Sequence, residues 1–374
     1  MDVNRFQGLL PNFPYRTVLG TEYDSGDYPG LLDRALDLSS WDAAIQRRDR
    51  ERSEGRLRGV GLALAVESSG NSAWETAAAV LGEGGRIVLL PGSSDHGQGH
   101  ATTFAQIAAD AMGVEPRRIE VRSGDSREVP LGVGTFGSRS VTVGGSAVLL
   151  ALEELRRRCL IWAAHLLDIP EERLEWKAGR VVPSAGGEGV GLQELEAAAR
   201  EHTSDDLPKL RGDGRFTLPG LTFGSSACVA TLELDPETGW VEVDRLVAVD
   251  DAGTVVNPLL AEGQVIGSTV QGLAAALFEE VLHDPEGQAL TESFLSYAVP
   301  TLPDIRTEIV TEFRPTRSPL SPLGTKGVAE SGCIAIPAAV ANAVADALSP
   351  LGAGLVDPPF TPEKVWRHLG GASR

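Results

Sequence analysis

Apolar residues in this chain recur with two different periods, and the period changes from one segment to the next. Between residues 59 and 90 short apolar runs are bounded by glycines, which predicts three strands: Gly59–Glu67, Thr76–Val80 and Arg86–Leu90. From Gly99 onward apolar residues fall three and four positions apart, as an amphipathic helix requires: Phe104, Ile107, Ala108, Ala111 and Met112. Gly113 is a suitable residue to end that helix.

The same reasoning predicts further helices and one clear hairpin. The helices are Ser146–Leu167, Leu192–His202, Ala261–Glu280 and Pro337–Leu348, the last with its proline in the first turn. The hairpin joins Cys228–Leu234 to Val241–Asp250, and alternation predicts that one face of its second strand carries Val241, Val243, Arg245, Val247 and Val249. Residues 179–218 are rich in glycine, serine and aspartate, which favours a hinge.

Strands and helices alternate without regular βαβ spacing, so we expect an α+β fold with mixed sheets and packed helices in two lobes. We predict a connector over residues 1–55, with a helix near Tyr28–Leu38. Residues 56–205 would form the first lobe. Residues 206–374 would form the second lobe and carry a glycine-rich loop around Glu330.

Composition narrows the classes of function. A net charge of −19 over 374 residues argues against binding nucleic acid or an anionic membrane surface. Apolar runs look too short to span a bilayer, and Met1–Arg5 has no apolar stretch typical of a secretion leader. Three scattered cysteines without a CxxC pair argue against a zinc ribbon, a local iron–sulfur motif or a disulfide framework. A cytoplasmic location is the simplest expectation.

The segment from Gly92 to His100 lies between a predicted strand and a predicted helix. Such a junction offers free backbone N–H groups and a positive dipole end, which suit a phosphate or an oxyanion. Gln98, between two glycines, can both donate to and accept from a ligand. A tight strand-to-helix turn would explain the same residues. His96 and His100 are spaced like metal ligands, but the glycines between them disfavour a regular helix, so we expect no metal bound by protein side chains.

Two further glycine-rich segments precede predicted helices. Gly132–Ser140 mixes hydroxyls, an arginine and glycines, which fits a phosphate or a polar heterocycle, or else a helix start capped by Ser138 or Ser140. Glu262-Gly263-Gln264 opens another helix, where Gln264 could contact a ligand or serve as a cap partner. Several such segments in one chain suggest one large polar ligand held by backbone from several directions.

Glu330 is the acidic residue of the loop Gly324–Gly332, among three glycines. Glycines let the backbone approach a bound group closely, and a carboxylate there is well placed for proton transfer. A tight turn with its acid facing water would fit the same residues.

Taken together, these motifs resemble the molybdenum hydroxylase family, which includes xanthine dehydrogenase, aldehyde oxidase and aerobic carbon monoxide dehydrogenase. The likeness is to the C-terminal molybdopterin-binding region of the large subunit. It rests on the following segments: His96-Gly97-Gln98-Gly99-His100, Thr135-Phe136-Gly137-Ser138-Arg139-Ser140, Asn257-Pro258, Glu262-Gly263-Gln264, Gln271-Gly272 and Gly324–Glu330.

The resemblance implies a role for each matching residue. Glu330 would be the catalytic base, Gln98 would lie near molybdenum, and Lys326 would face the pterin or its phosphates. Molybdenum would be held through the pterin and by no protein ligand. The implied cofactor-binding residues are Gln98, Gly99, His100, Gly137, Ser138, Arg139, Ser140, Gln264, Lys326 and Gly327.

The resemblance also implies an activity and partners. The enzyme would hydroxylate an aldehyde or an N-heterocycle, or oxidise carbon monoxide, with water as the oxygen source. Its cofactor would be molybdopterin, as the cytosine dinucleotide, while 2Fe-2S and FAD would belong to an iron–sulfur subunit and a flavin subunit. The signatures of the family's other cofactor-binding domain are missing here, so a separate N-terminal molybdopterin-domain chain is expected. A non-catalytic or truncated subunit that keeps the fold for assembly is the alternative.

Overall fold

The computed structural model describes residues 13–71, 74–129, 131–203 and 206–370, so the expectation about a leader at Met1–Arg5 lies outside the described residues. The helices are α1 Tyr28–Ser39, α2 Trp41–Ser53, α3 His100–Met112, α4 Gly145–Leu167, α5 Leu192–Glu201, α6 Pro258–Leu277, α7 Ser331–Leu348 and α8 Pro362–His368. The strands are β1 Tyr15–Arg16, β2 Glu22–Tyr23, β3 Leu57–Ser69, β4 Trp74–Gly82, β5 Arg86–Pro91, β6 Ile119–Val121, β7 Leu174–Lys177, β8 Arg180–Pro183, β9 Val190–Gly191, β10 Arg211–Thr217, β11 Thr222–Leu234, β12 Val241–Asp251 and β13 Glu308–Phe313.

Two four-stranded sheets dominate the described part of the chain. One has the order β13-β12-β11-β3 and the other the order β10-β4-β5-β6. Each is mixed, because β12 and β13 pair in parallel, as do β5 and β6, while their other pairs are antiparallel. The predicted α+β class with mixed sheets and packed helices is confirmed.

Helix α7 packs directly on β3, and glycines in the strand make this close approach possible. A Cβ atom on Gly59 would lie 1.9 Å from the carbonyl oxygen of Ala343, and one on Gly61 would lie 2.1 Å from that of Ala339. Any side chain at these positions would push the helix away from the sheet. The core of this sheet therefore depends on small residues on both partners, including Ala339, Ala343 and Ala347.

The start of α7 differs from the sequence prediction. The helix begins at Ser331, directly after the Glu330 loop, and Pro337 lies inside it. The segment Ser331–Leu351 is long and apolar enough to span a membrane by length and composition, contrary to the expectation that no such run exists. Its apolar side is buried against β3 and α6, so its packing is that of a core helix.

The predicted valine face of β12 is wrong, because the strand carries a bulge. Thr231 pairs with Arg245 but Leu232 pairs with Val243, so one extra residue of β12 is inserted between them. An inserted residue moves the following side chains to the opposite face. Val241 and Val243 therefore join the core beneath α6 and α7. Val247 and Val249 face the core beneath α1 and α2.

Several segments lie across the predicted domain boundaries. Helices α1 and α2, in the predicted connector, pack on β3, β11 and β12. β3 itself is in the sheet of the second lobe, and β10 is in the sheet of the first. The predicted hinge, residues 179–218, contains β8, β9, α5 and β10, whose apolar residues belong to the core beneath α3 and α4. The boundaries at 56 and 206 remain predictions, although both large sheets draw strands from either side of them.

Candidate active site

Three loops and one helix that are distant in the sequence line one cavity of about 510 Å³. They contribute Gln98 from the loop before α3, Ser138 from the loop before α4, Gln264 from α6 and Glu330 from the loop before α7. The predicted residues that line it are Gln98, His100, Gly137, Ser138, Arg139, Ser140, Gln264, Lys326, Gly327 and Glu330. Gly99 lies between two of these lining residues.

The loop before α3 is held in shape by its own polar groups. The backbone N–H of Gly97 donates to Asp95 Oδ1 at 2.9 Å, and that of His96 donates to Gln98 Oε1 at 2.5 Å. Gly97 and Gly99 have φ angles of 103° and 80°, which favour glycine. At Gly97 a Cβ atom would meet nothing within 4 Å, so the backbone there is open to a ligand.

His100 is buried at the start of α3. Its Nδ1 lies 3.2 Å from the carbonyl oxygen of Ser94, and burial lowers the pKa of its imidazole. The neutral ring therefore serves to hold the loop, while its edge lines the cavity. No group of three or more potential metal-ligating side chains occurs within the described ranges.

The loop before α4 turns sharply at two consecutive residues in the left-handed region. Gly137 has a φ of 53° and Ser138 a φ of 51°. The turn directs the hydroxyl of Ser138 across the cavity, where it donates a hydrogen bond to Glu330 Oε2. Ser140 donates to the hydroxyl of Thr135 at 3.0 Å and begins a π-helical turn that leads into α4.

The guanidinium group of Arg139 is fully occupied within the protein. It is completely buried and pairs with Glu75 at 2.8 Å. It also donates to the carbonyl oxygens of Asn71, Gly134 and Trp74. This side chain therefore fixes the loop rather than reaching into the cavity. If Arg139 contacts the cofactor as predicted, it does so through its backbone.

Glu75, the partner of Arg139, is a site residue that the sequence analysis missed. Its carboxylate accepts the backbone N–H groups of Val133 and Gly134, each at 3.0 Å. Glu75 therefore ties the second glycine-rich segment to β4. The sequence offers little signal, because an acidic residue beside Trp74 at the start of a strand is usually solvent-exposed.

Lys326 is likewise turned away from the cavity. Its ammonium group pairs with Asp251 at 2.7 Å and donates to the hydroxyl of Thr316 at 3.0 Å and the carbonyl oxygen of Ser25 at 3.3 Å. Its backbone N–H donates to the carbonyl oxygen of Ala252 at 2.8 Å. The side chain that was predicted to face the pterin or its phosphates thus fastens the Glu330 loop to the end of β12.

Helix α6 reaches the cavity with its first two turns. Asn257 caps it, because Oδ1 accepts the N–H of Leu260 at 2.9 Å, and Nδ2 donates to Gln106 Oε1 at 2.8 Å. The cap is therefore supplied by Asn257, and Gln264 lies further along the helix with its side chain at the cavity.

Gly327 is packed tightly between Ser69, at the end of β3, and Ser138, in the loop before α4. Its N–H donates to the hydroxyl of Ser69 at 2.9 Å, and an added Cβ would lie 2.4 Å from Cβ of Ser138. We expect Gly327→Ala to lower the free energy of unfolding by about 1–3 kcal/mol and to displace the Glu330 loop. Denaturant unfolding of the purified chain measures the change.

Gly267→Ala is the matched control for that substitution. Gly267 lies within α6, and a Cβ there would meet nothing within 4 Å. Alanine in a helix interior stabilises by roughly 0.5–1 kcal/mol relative to glycine. Equal effects of the two substitutions would show that the space around Gly327 is not restrictive.

Comparison of the sequence with known families identifies the family of this chain. The molybdopterin cofactor-binding domain matches residues 34–306, and the chain belongs to this family. The resemblance drawn from the motifs is confirmed.

Three relatives illustrate the match. The nicotine 6-hydroxylase large subunit of Paenarthrobacter nicotinovorans is 34% identical over 98% of this chain and 47% of that protein. The carbon monoxide dehydrogenase large chain of Afipia carboxidovorans is 32% identical over 95% of this chain and 46% of its own length. A crystal structure of a Cu,Mo-CO dehydrogenase superposes with a TM-score of 0.88 at 29% identity, covering 96% of this chain and 48% of that one. The chain thus spans about half the length of the relatives it matches.

The lining of the cavity fits a molybdopterin chemically. It offers glycine backbone at Gly97, hydroxyls at Thr135 and Ser140, and amides at Gln98 and Gln264. The charged side chains of Arg139 and Lys326 are paired with the buried carboxylates of Glu75 and Asp251 and are not directed into the cavity. Anionic groups of the cofactor would therefore be met by backbone N–H groups and helix N-termini rather than by charged side chains.

Proposed function

We propose that this chain binds molybdopterin, as the cytosine dinucleotide, and supplies the base for a molybdenum-dependent oxidation. The substrate would be an aldehyde, an N-heterocycle or carbon monoxide, with water as the oxygen source. The observation that carries the proposal is the convergence of Gln98, Ser138, Gln264 and Glu330 on one cavity in a chain of this family.

Each residue has a task that follows from its position. The backbone of Gly97 and Gly99 and the hydroxyl of Ser140 would hold the polar edge of the pterin. The amide of Gln98 would orient the molybdenum end. When bound, the cofactor would supply the redox and Lewis-acid chemistry of molybdenum. Gly327 keeps the loop that carries Glu330 close to Ser138.

Glu330 is the one acidic side chain that lines the large cavity among the described residues. Ser138 donates to one of its oxygens, which orients the carboxylate, and α7 begins directly after it. The N-terminus of a helix stabilises negative charge nearby. A carboxylate held in this way can accept a proton from the reacting oxygen, and a base of this kind typically contributes about 10²–10⁴-fold to the rate.

A separate N-terminal molybdopterin-domain chain would complete the cofactor-binding unit, in keeping with the half of each relative's length that this chain covers. Apolar side chains that no described residue covers support this, since Val18, Phe294 and Leu295 are each more than 90% exposed. An iron–sulfur subunit with 2Fe-2S and a flavin subunit with FAD would carry the electrons onward. A complex of several subunits is supported by relatives that are named as a large subunit or a large chain. We propose that this complex is cytoplasmic, because three scattered cysteines without a CxxC pair suit a reducing compartment.

Cofactor loading tests this proposal. We expect molybdenum and pterin to co-purify at about one per chain when the N-terminal half is co-expressed, and to be largely absent when it is not. Ala261→Trp should abolish loading, because Ala261 lines the cavity on α6 and the indole would fill it. Elemental analysis and pterin fluorescence measure both quantities.

Glu153→Trp is the control, because Glu153 is exposed on α4. Loading should be unaffected by it. Loading that survives Ala261→Trp would place the cofactor elsewhere. A fully loaded complex that turns over no aldehyde, N-heterocycle or carbon monoxide would favour the non-catalytic assembly role.

A further inference from the structure

A second, much smaller cavity adjoins the loop that carries Glu330, and Gly327 and Val328 of that loop line both cavities. It measures about 10 Å³, room for roughly one water molecule. Three adjacent strands form it: Glu67 lies on β3, Ser226 on β11 and Asp250 on β12, and Ser331 closes it from α7. In this sheet Ser226 is paired directly with Asp250.

Glu67 lies beside the loop that carries Glu330. It lines the small cavity together with Val328 and Ser331, which flank Glu330 in the sequence, and its carboxyl group is hydrogen-bonded to that of Glu330. Two carboxyl groups that close to each other cannot both be ionised without a large electrostatic cost, so such pairs share one proton. Burial, the negative charge of Glu330 and this hydrogen bond raise the pKa of Glu67 to about 7.

Asp250 adds to the cost of a charge on Glu67. It is 1% exposed, and the hydroxyls of Ser226 and Ser331 beside it lower its pKa by less than burial raises it. The hydroxyl of Ser226 lies 3.3 Å from the sulfur of Cys228, and that of Ser331 donates to the carbonyl oxygen of Val328 at 3.1 Å. Burial raises the pKa of Asp250 to about 6.

No other charged or titratable group described near Glu67 supplies a positive charge that would stabilise its ionised form. Asp251 lines the small cavity but is paired with Lys326, whose ammonium group also donates to Thr316 and to the carbonyl oxygen of Ser25. Cys333, in the first turn of α7, is an uncharged thiol whose pKa is raised by burial and by the nearby acids. Among the described residues, the charged groups that act on Glu67 are therefore both acids, Glu330 and Asp250.

We propose that Glu67 is a positioning residue for Glu330: the pair carries one proton, and protonated Glu67 donates a hydrogen bond to the Glu330 carboxylate, which keeps that base directed at the large cavity. The shared proton requires only this chain, without cofactor or partner. The effect of that proton on catalysis rests on the proposed function. Above about pH 7 Glu67 loses its proton, the hydrogen bond is lost, and the two carboxylates repel each other.

Isotope-edited infrared spectroscopy tests the shared proton without any cofactor. In the full chain labelled with ¹³C-glutamate, we expect a label-sensitive band of protonated carboxyl at about pH 6 that disappears by about pH 8. The band should be absent in Glu67→Gln. In Glu330→Gln its midpoint should fall by about one pH unit or more, because the repelling charge has gone.

Glu242→Gln is the control for the spectra, since Glu242 is exposed on β12, and the band should be unchanged in it. Label-sensitive signal from aspartate is excluded by the choice of label, so Asp250 does not contribute. A band that persists in Glu67→Gln, or no glutamate band at about pH 6 in the unsubstituted chain, would overturn the proposal.

The pH profile of the loaded complex tests the catalytic consequence. We expect the unsubstituted enzyme to lose kcat above about pH 7, while Glu67→Gln, whose amide donates at every pH, keeps kcat within about 3-fold and loses this alkaline decline. Glu67→Ala should lower kcat by about 10–100-fold with KM nearly unchanged, because the base loses its orientation.

An alkaline decline that is identical in Glu67→Gln would overturn the positioning role. The two proposals fail in distinguishable ways. A complex without any activity, whose infrared band still depends on Glu67 and Glu330, would contradict the proposed function and leave the shared proton standing.

Discussion

Replacing Glu330 by glutamine is expected to lower turnover by about 10²–10⁴-fold while the molybdenum content stays unchanged. Glutamine keeps the volume of the side chain and an oxygen that can accept the hydrogen bond from Ser138. It removes the negative charge and with it the ability to take up a proton. The loss should therefore appear in kcat, with little change in cofactor loading.

Dye-linked steady-state kinetics, combined with elemental analysis of the same preparations, measures both quantities. Glu242→Gln, on the exposed face of β12, should behave like the unsubstituted enzyme. Undiminished turnover in Glu330→Gln would mean that this acid is merely the surface residue of a tight turn. That was the simplest alternative for the loop when only its sequence was considered.

Arg139→Met is expected to destabilise the chain even without cofactor, by about 3–5 kcal/mol in the free energy of unfolding. The substitution leaves the carboxylate of Glu75 buried and without its positive partner. It also removes the donors for three backbone carbonyls, which hold the loop before α4. Because this loop carries Ser138, we expect cofactor retention to be lost as well.

Denaturant unfolding of the cofactor-free chain separates the two possible roles of Arg139. Arg211→Met is a suitable control, because Arg211 forms an exposed pair with Asp213, and such pairs contribute roughly 0–1 kcal/mol. If Arg139→Met left the cofactor-free chain as stable as before and only weakened cofactor binding, the guanidinium would contact the cofactor. That outcome would restore the role implied by the resemblance.

Much of the fold could be predicted from local pattern. The helix ending at Gly113 and the long helix that ends at Leu167 lie where the apolar spacing and the terminal glycine indicate. The pattern is informative there because each helix buries one continuous face. The alternation of apolar residues gave a wrong face for β12, because a one-residue bulge moves the side chains beyond it to the opposite face without any change in composition.

The convergence of the candidate residues on one cavity also agrees with the motifs, because glycine-rich loops before helices indicate where a backbone can approach a ligand. The directions of long side chains could not be predicted in this way. Arg139 and Lys326 lie in the right loops, but each points at a buried carboxylate, Glu75 or Asp251, far away in the sequence. Their pairing is decided by tertiary structure.

The acids near Glu330 were missed for a related reason. Glu67 follows the apolar stretch of β3 and Asp250 follows Leu246-Val247-Ala248-Val249, and an acidic residue in such a place is an available signal. The sequence nevertheless contains nothing that joins them to Glu330. Only the pairing of β3, β11 and β12 brings these carboxyl groups together near the base.

The most direct test of the account is a structure of the loaded complex, with molybdenum located by its anomalous scattering. We predict one molybdenum peak in the cavity lined by Gln98, Ser138, Gln264 and Glu330, with the Glu330 carboxylate directed at it. A molybdenum peak on another surface of this chain, with these four side chains free of pterin, would contradict the account.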